Sequence, residues 1–354
     1  MVQLVHGGDI YSYIENHPNG VLDFSANINP QGLPWGVKKA IISALENSAN
    51  YPDPLCRELT AAIAQSENLP PAYILCGNGA SDLIYRLVYA VRPQKALVTA
   101  PAFEEYEQAL TAVGCEVKHH LLQENEEFLL TQRILDDLSD DVDILFLCNP
   151  NNPTGQPISQ TLLKKILQHC RQHKILLALD ECFCDFLDAP DEYTMSEFLS
   201  GYDNLFLLRA FTKMYAMAGL RLGYCLCSNH ALLDKMYLCG SPWGVSNIAQ
   251  AAGVQALREK EYITRTKTII SQERAYLRAE LCRLGCKVYG SHANFIFFRP
   301  HISNLSSRLE AKGILIRNCG NYKGLTGEFC RIAVKSHNDN IKLLRVMEEF
   351  ALCL

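Results

Sequence analysis

Arg209-Ala210-Phe211-Thr212-Lys213-Met214-Tyr215-Ala216-Met217-Ala218-Gly219-Leu220-Arg221-Leu222-Gly223 decides the fold. The apolar run Leu205-Phe206-Leu207-Leu208 precedes it, and a second run, Tyr224 to Cys227, follows. Both have strand length and read as buried strands. The segment between them carries Lys213 and Arg221. Desolvating an ammonium costs several kcal/mol unless the group is paired or put to chemical use. One such use is condensation with an aldehyde, because burial lowers a lysine pKa and frees the amine. Arg221 could then hold an anion beside that aldehyde. Taken alone, Lys213 also reads as an ordinary solvated loop lysine.

Outward from this segment, strands and helices alternate. Apolar or alternating runs predict strands at 72–75, 95–99, 116–121, 142–147, 175–179, 205–208 and 224–226. Helical periodicity starts near Trp35, recurs at 55–68, and fills 81–91, 103–113 and 159–173. Continuous apolar runs of four to six residues between helices indicate a mostly parallel sheet covered on both faces. The texture changes after about residue 245: one or two long helices over 246–284, short strands at 293–298, 314–317 and 329–334, and a last helix from Asn338. We expect an arm at 1–34 that joins the small domain, a large α/β domain at 35–240 and a smaller α+β domain at 241–354.

The chain has 354 residues, 48% of them hydrophobic and 20% charged, with a net charge of −5. No basic field draws nucleic acid or anionic membrane, so small molecules are the expected partners. No apolar run reaches membrane-span length. The N-terminus lacks the basic and apolar regions of a signal peptide, and the cytoplasm is the expected compartment. Fifteen cysteines are scattered without a C-x-x-C pair. They suit buried small apolar residues in a reducing setting, and no metal is expected. Cys182 with Cys184, and Cys225 with Cys227, are spaced to share one face of a strand.

Three further features carry chemistry. Gly77-Asn78-Gly79-Ala80-Ser81 ends a strand and opens a helix, where free N–H groups can hold an anion. Asn149-Pro150-Asn151-Asn152-Pro153-Thr154-Gly155 is a rigid loop at a strand's carboxyl end, where open α/β sheets bind ligands. Asp180-Glu181 ends the next strand, and a carboxylate there can pair with a protonated ring nitrogen or make a structural salt bridge. Lys213 and Arg221 complete a set suited to pyridoxal phosphate. In that set Gly79, Ala80 and Arg221 hold the phosphate, Asn152 the O3′ oxygen, Asp180 the pyridine nitrogen and Lys213 the aldehyde.

The N-P-N-N-P-T-G loop, the D-E pair and T-K before G-L-R-L-G-Y together resemble the fold-type I pyridoxal-phosphate enzymes of the class I/II aminotransferase superfamily. The resemblance spans essentially the whole chain. It implies a large domain with a mostly parallel seven-stranded sheet and a smaller α+β C-terminal domain. Within the superfamily the chain is similar to histidinol-phosphate aminotransferases and to threonine-phosphate decarboxylases of cobalamin synthesis. His6-Gly7-Gly8, Asp23-Phe24-Ser25-Ala26-Asn27-Ile28-Asn29-Pro30, Phe183 after the D-E pair, and the stretches 314–322 and 331–334 resemble the decarboxylases. The resemblance implies that His6, Gly7, Asn27, Asn152, Arg317 and Arg331 contact the substrate. Phe103 would stack on the cofactor ring, and Thr212 would lie beside its phosphate. Tyr51 would reach the cofactor phosphate of a second subunit, implying a homodimer. The family usually has Ser or Thr three residues before the lysine. Ala210 stands there instead, removing one hydrogen bond to an anion unless Thr212 or Ser81 replaces it.

These expectations favour decarboxylation of O-phospho-L-threonine, with amine exchange on histidinol phosphate as the alternative. Both substrates need an anion clamp, so two arginines alone do not separate them. A non-catalytic binding protein that kept the fold is a third reading, opposed by the complete Lys213, Asp180, Asn152 and Arg221 set.

Overall fold

The computed structural model describes residues 7–14 and 20–352. Its centre is a seven-stranded sheet built from β1 (Ile74–Gly77), β2 (Lys95–Ala100), β3 (Glu116–Leu121), β4 (Ile144–Cys148), β5 (Leu176–Asp180), β6 (Leu205–Ala210) and β7 (Gly223–Cys227). The spatial order is β1-β7-β6-β5-β4-β2-β3. All neighbours are parallel except β7, which runs against both β6 and β1. Side chains alternate between two cores. Leu145, Leu147, Leu177, Leu179, Leu205 and Leu207 face one cluster, while Ile144, Phe146, Ala178, Phe206 and Leu208 face the other. A sheet covered on both faces can therefore be apolar along its whole strands.

The reversal of β7 positions the site. Parallel strands all end at one edge of the sheet. The single antiparallel strand begins at that same edge, so Ala210 pairs with Gly223, and the connection carrying Lys213 and Arg221 stays at the rim. Gly77 also pairs with Gly223. A Cβ at Gly223 would lie 2.7 Å from the Ala80 nitrogen, so only glycine lets these turns approach.

A second, four-stranded antiparallel sheet is formed by β8 (Lys287–Tyr289), β9 (Phe295–Arg299), β10 (Arg317–Asn318) and β11 (Cys330–Ala333), in the order β10-β11-β9-β8. Helix Lys260–Arg283 packs against it and against helix His337–Leu352, while Asn247–Ala256 packs on helices Trp35–Ala44 and Arg57–Glu67. Leu22–Asp23 pairs in parallel with Ile314–Leu315, which ties the arm to this half. Asn29 then crosses back: its N–H donates to the Lys213 carbonyl at 3.2 Å, and Nδ2 donates to Met214 O at 2.7 Å and Thr266 Oγ1 at 2.8 Å.

The structure differs from the sequence expectations in several places. β1 starts at Ile74, because Pro71–Tyr73 makes a 3₁₀ turn. Helix His230–Leu238 and strand β8 occupy stretches whose periodicity had not been assigned. The run at 314–317 splits between two sheets. Cys182 and Cys184 lie beyond the end of β5, in a turn, so they share no strand face; Cys225 and Cys227 do face one core cluster.

Candidate active site

A cavity of about 310 Å³ opens at the carboxyl rim of the large sheet. It gathers Ala80, Phe103, Asn152, Asp180, Thr212, Lys213 and Arg221 from the rim, Gly7 and Asn27 from the arm, and Arg331 from the small sheet. Gly79 lies against Arg221: a Cβ on Gly79 would sit 2.7 Å from Arg221 Nη2. Gly79 has φ 86° and opens helix Ala80–Val91. Its turn is braced by Asp82, which accepts the Asn78 N–H at 2.9 Å. Arg221 takes φ 55°, an uncommon conformation for arginine, of the kind that marks functional sites.

Lys213 is half-buried, with Nζ 5.6 Å from the centre of the Phe183 ring. Burial, then the nearby cations Arg331 and Arg221, lower its pKa from 10.5 to about 8, against the opposing pull of Cys182 and Asp180. A fraction of the amine is therefore neutral near pH 7 and available as a nucleophile. Asp180 Oδ2 accepts from Tyr106 Oη at 2.6 Å, and Oδ1 accepts from the Cys182 N–H at 2.9 Å. Burial and the Asp180 charge push the Tyr106 pKa well up, so the phenol keeps its proton and donates it. Tyr106 also stacks on Phe146 at 5.1 Å. In the sequence this tyrosine carries no chemical signal and reads as one more apolar position of its helix.

Behind the rim, Glu181 is buried and pairs with Arg209 at 2.7 Å. It also accepts from Thr194 Oγ1 and the Met195 N–H, each at 2.9 Å. These bonds tie the end of β5 to β6. In the proline-rich loop, Asn149 Oδ1 accepts the Ile158 N–H at 2.8 Å. Asn151 Nδ2 donates to Pro101 O and Thr154 Oγ1, each at 3.0 Å. The loop is thus rigid and bonded to the turn that carries Phe103.

Opposite the rim, Arg331 Nη1 donates to Asn152 Oδ1 and Nη2 donates to Ser25 O at 2.8 Å. The first contact fixes the Asn152 amide with its oxygen on the arginine, leaving Nδ2 as the donor. Arg331 Nε and Asn27 Oδ1 are buried without a hydrogen-bond partner among the described residues. Arg317 lines an adjoining recess that shares Gly7 and Ser25 with the main cavity, and its Nη2 donates to Asn321 Oδ1 at 2.8 Å. Gly7 rests against the arm, where a Cβ would meet Ser25 O at 2.4 Å. Of the expected residues, His6 lies outside the described residues, and Tyr51 is not in this constellation: it is 78% exposed, stacked on Trp243 at 4.5 Å. Ala210, Ser81 and Thr212 all line the cavity, so two hydroxyl-bearing residues share it with the alanine. Tyr322, the last residue of the 314–322 stretch, and Cys182, directly after the D-E pair, also line it, as does Glu105, whose sequence setting pointed nowhere near it.

This arrangement joins a buried amine, a braced carboxylate, an amide donor and an anion cradle around one ring-sized space. The chain belongs to the aminotransferase class I and II family, whose model matches residues 19–348. It is a pyridoxal-phosphate enzyme of fold type I. It is 38% identical over 348 residues to a threonine-phosphate decarboxylase from Salmonella typhimurium, covering 97% of this chain and 95% of that protein. It superposes on a solved histidinol-phosphate aminotransferase from Clostridium acetobutylicum with TM-score 0.89 and 31% identity, covering 94% of this chain and all of that one. A solved L-threonine-O-3-phosphate decarboxylase from Porphyromonas gingivalis shares the fold at TM-score 0.83 and 24% identity, covering 93% of this chain and 99% of that one. The residues present fit the cofactor: Lys213 has the lowered pKa an aldehyde-binding amine needs, and Gly79 and Gly223 leave the close approach a phosphate requires. Among the described residues, no helix is long and apolar enough to cross a membrane, and no cluster of His, Cys, Asp and Glu could hold a metal.

Proposed function

We propose that this enzyme decarboxylates O-phospho-L-threonine to (R)-1-amino-2-propanol O-phosphate and CO₂, a step of cobalamin biosynthesis. The observation that carries the choice of reaction is the 38% identity to the Salmonella decarboxylase over nearly the full length of both chains. When bound, pyridoxal phosphate supplies the electron sink for whichever Cα bond stands perpendicular to its ring.

The protein's part is placement. Lys213 Nζ would be the amine that holds the cofactor's aldehyde, and could hold a proton for the substrate's Cα. Asp180, held by Tyr106 and Cys182, would face the pyridine nitrogen as its carboxylate partner. Asn152 Nδ2 would be the donor for the ring oxygen, and Gly79, Ala80, Ser81, Thr212 and Arg221 would hold the phosphate. Phe103 would lie against the ring. Arg331 and Arg317, with Gly7, Asn27 and His6, grip a substrate that carries both a carboxylate and a phosphate. Two guanidinium forks suit two anions, and a grip that turns the carboxylate out of the ring plane selects CO₂ loss.

In this proposal residues 35–240 form the cofactor-binding domain, and 241–354 with the arm at 1–34 form the substrate clamp. The active form is a homodimer. Leu55, Leu238 and Trp243 are exposed around one surface cavity and the exposed Tyr51 stacks on Trp243, an apolar patch of the kind that a second copy covers. The described cysteines are free thiols, which suits a cytoplasmic enzyme.

Purified enzyme with pyridoxal phosphate and phosphothreonine should release CO₂. Amine exchange on histidinol phosphate is the second reading, favoured by the full-length superposition on the Clostridium aminotransferase. Turnover of histidinol phosphate with 2-oxoglutarate, and no CO₂ from phosphothreonine, would select it.

A further inference from the structure

Arg317 and Arg331 stand directly opposite each other in the register of β10 and β11. Opposed residues of antiparallel strands point to one face, with Cβ atoms roughly 5 Å apart. Two guanidinium groups so placed repel, and each must be held if both are to meet one anionic substrate. Arg331 is held by Asn152 and Ser25 O. The hold on Arg317 is a separate device, built from the turn that follows it.

Two residues of that turn contact the guanidinium. Asn321 Oδ1 accepts from Nη2 at 2.8 Å, at the edge of the group. The Tyr322 ring covers the face, with its centre 5.2 Å from Cζ. A cation over a ring is attracted by the ring's quadrupole, more strongly where water is excluded. Tyr322 is 8% exposed, and it lines the main cavity. The turn itself is braced: Asn318 Oδ1 accepts the Gly320 N–H at 2.8 Å, and the Cys319 N–H donates to Phe329 O at 2.8 Å.

The brace continues into the large-sheet half. Asn321 Nδ2 donates to Glu104 Oε2 at 3.1 Å, across 217 residues of sequence. Glu104 directly follows Phe103 and opens helix Glu105–Ala112. One turn further on, Glu107 pairs with Lys323 at 3.6 Å. An amide suits the middle position, because its oxygen accepts from a guanidinium while its nitrogen donates to a carboxylate. The amide thus passes the hold of Glu104 on to Arg317.

We propose that Tyr322, Asn321 and Glu104 are positioning residues for substrate binding: they hold the Arg317 guanidinium by its face and one edge, across the two halves of the molecule, so that it meets the substrate's anion already oriented. This rests on the reading that Arg317 grips the substrate. A long side chain immobilised beforehand loses less freedom on binding, so the effect falls on affinity and not on the chemical step.

The test measures KM and kcat of the holoenzyme with phosphothreonine, or with histidinol phosphate if that is the substrate turned over. Tyr322→Leu should raise KM roughly tenfold and Asn321→Ala roughly threefold. In both, kcat should stay within about a factor of two, with cofactor absorbance retained. Tyr322→Phe keeps the ring and should keep the KM. Glu104→Ala should raise KM as Asn321→Ala does, and the double variant should be no worse than Asn321→Ala alone, because Glu104 acts through the amide. Asn321 is exposed, so its variant tests the brace even if Tyr322→Leu fails to fold. Arg317→Met separates the inference from the reading beneath it. If Arg317→Met leaves KM unmoved, the reading fails and the brace falls with it. If Arg317→Met raises KM while Asn321→Ala and Tyr322→Leu leave it unchanged, the brace alone is overturned. A fall in kcat with KM unchanged, or additive effects of Glu104→Ala and Asn321→Ala, would overturn it as well.

Discussion

The two walls of the active-site cavity are held in different ways. On the large-sheet wall every group sits at, or a few residues past, a strand end: Ala80 after β1, Phe103 after β2, Asn152 after β4, Asp180 at the end of β5 and Lys213 after β6. Short connections to a sheet buried on both faces fix their positions locally. On the opposite wall Arg331 lies within a strand and reaches Asn152 across 179 residues of sequence, while the arm contributes Ser25 O. That wall exists only when the two halves and the arm are assembled. The difference is one of range: local strand-end geometry builds the first wall, and contacts between distant parts of the sequence build the second.

The largest expected effect tests the first wall. Lys213→Ala should lower turnover by at least about 10³-fold and abolish the cofactor's bound absorbance; a variant that keeps rate and spectrum would place the nucleophile elsewhere. Arg331→Met should cost about 3 kcal/mol, roughly 100-fold in kcat/KM, with cofactor binding retained. If cofactor is lost as well, the separation between the walls fails, because Arg331 then acts mainly through Asn152.

The third prediction concerns stability without cofactor. The Lys213 amine titrates at about 8 when folded, against 10.5 for a free lysine, so the folded state resists its protonation. The resulting deficit is fully present below pH 8 and is relieved as pH rises from 8 to 10.5. Lys213→Met should therefore stabilise the apoprotein at pH 7 by about 2 kcal/mol, after allowance for the solvent-facing side of the cavity. The gain should vanish above pH 10.5 in urea titrations. A gain constant with pH would point to simple packing. The smallest effect sharpens the first wall: Ala210→Ser should tighten pyridoxal phosphate by about 1.5 kcal/mol, roughly tenfold in Kd. No change would mean that Ser81 or Thr212 already fills that role.

The first wall was legible in the sequence because its residues cluster in short motifs behind apolar runs, and strand ends are where such chemistry must sit. Hydrophobic period reports burial and carries no strand direction, so the reversal of β7 was not legible, although it keeps Lys213 and Arg221 at one rim. Tyr106 was missed because a phenol on an amphipathic helix looks like core until its partner is known. Arg317 and Arg331 emerged from family resemblance alone; nothing local distinguishes them from surface strand arginines. The Arg331–Asn152 contact, across 179 residues, is a fact of tertiary assembly.

Asn29 also sets a schedule. Its bonds run to the Lys213 carbonyl, Met214 O and Thr266 Oγ1, the last two across 185 and 237 residues. During synthesis this asparagine leaves the ribosome early and must wait until most of the polypeptide has followed. Contacts closing such long loops form late. The backbone beneath the reactive amine is therefore secured only near completion, and a half-made chain is kept from premature chemistry by its own topology.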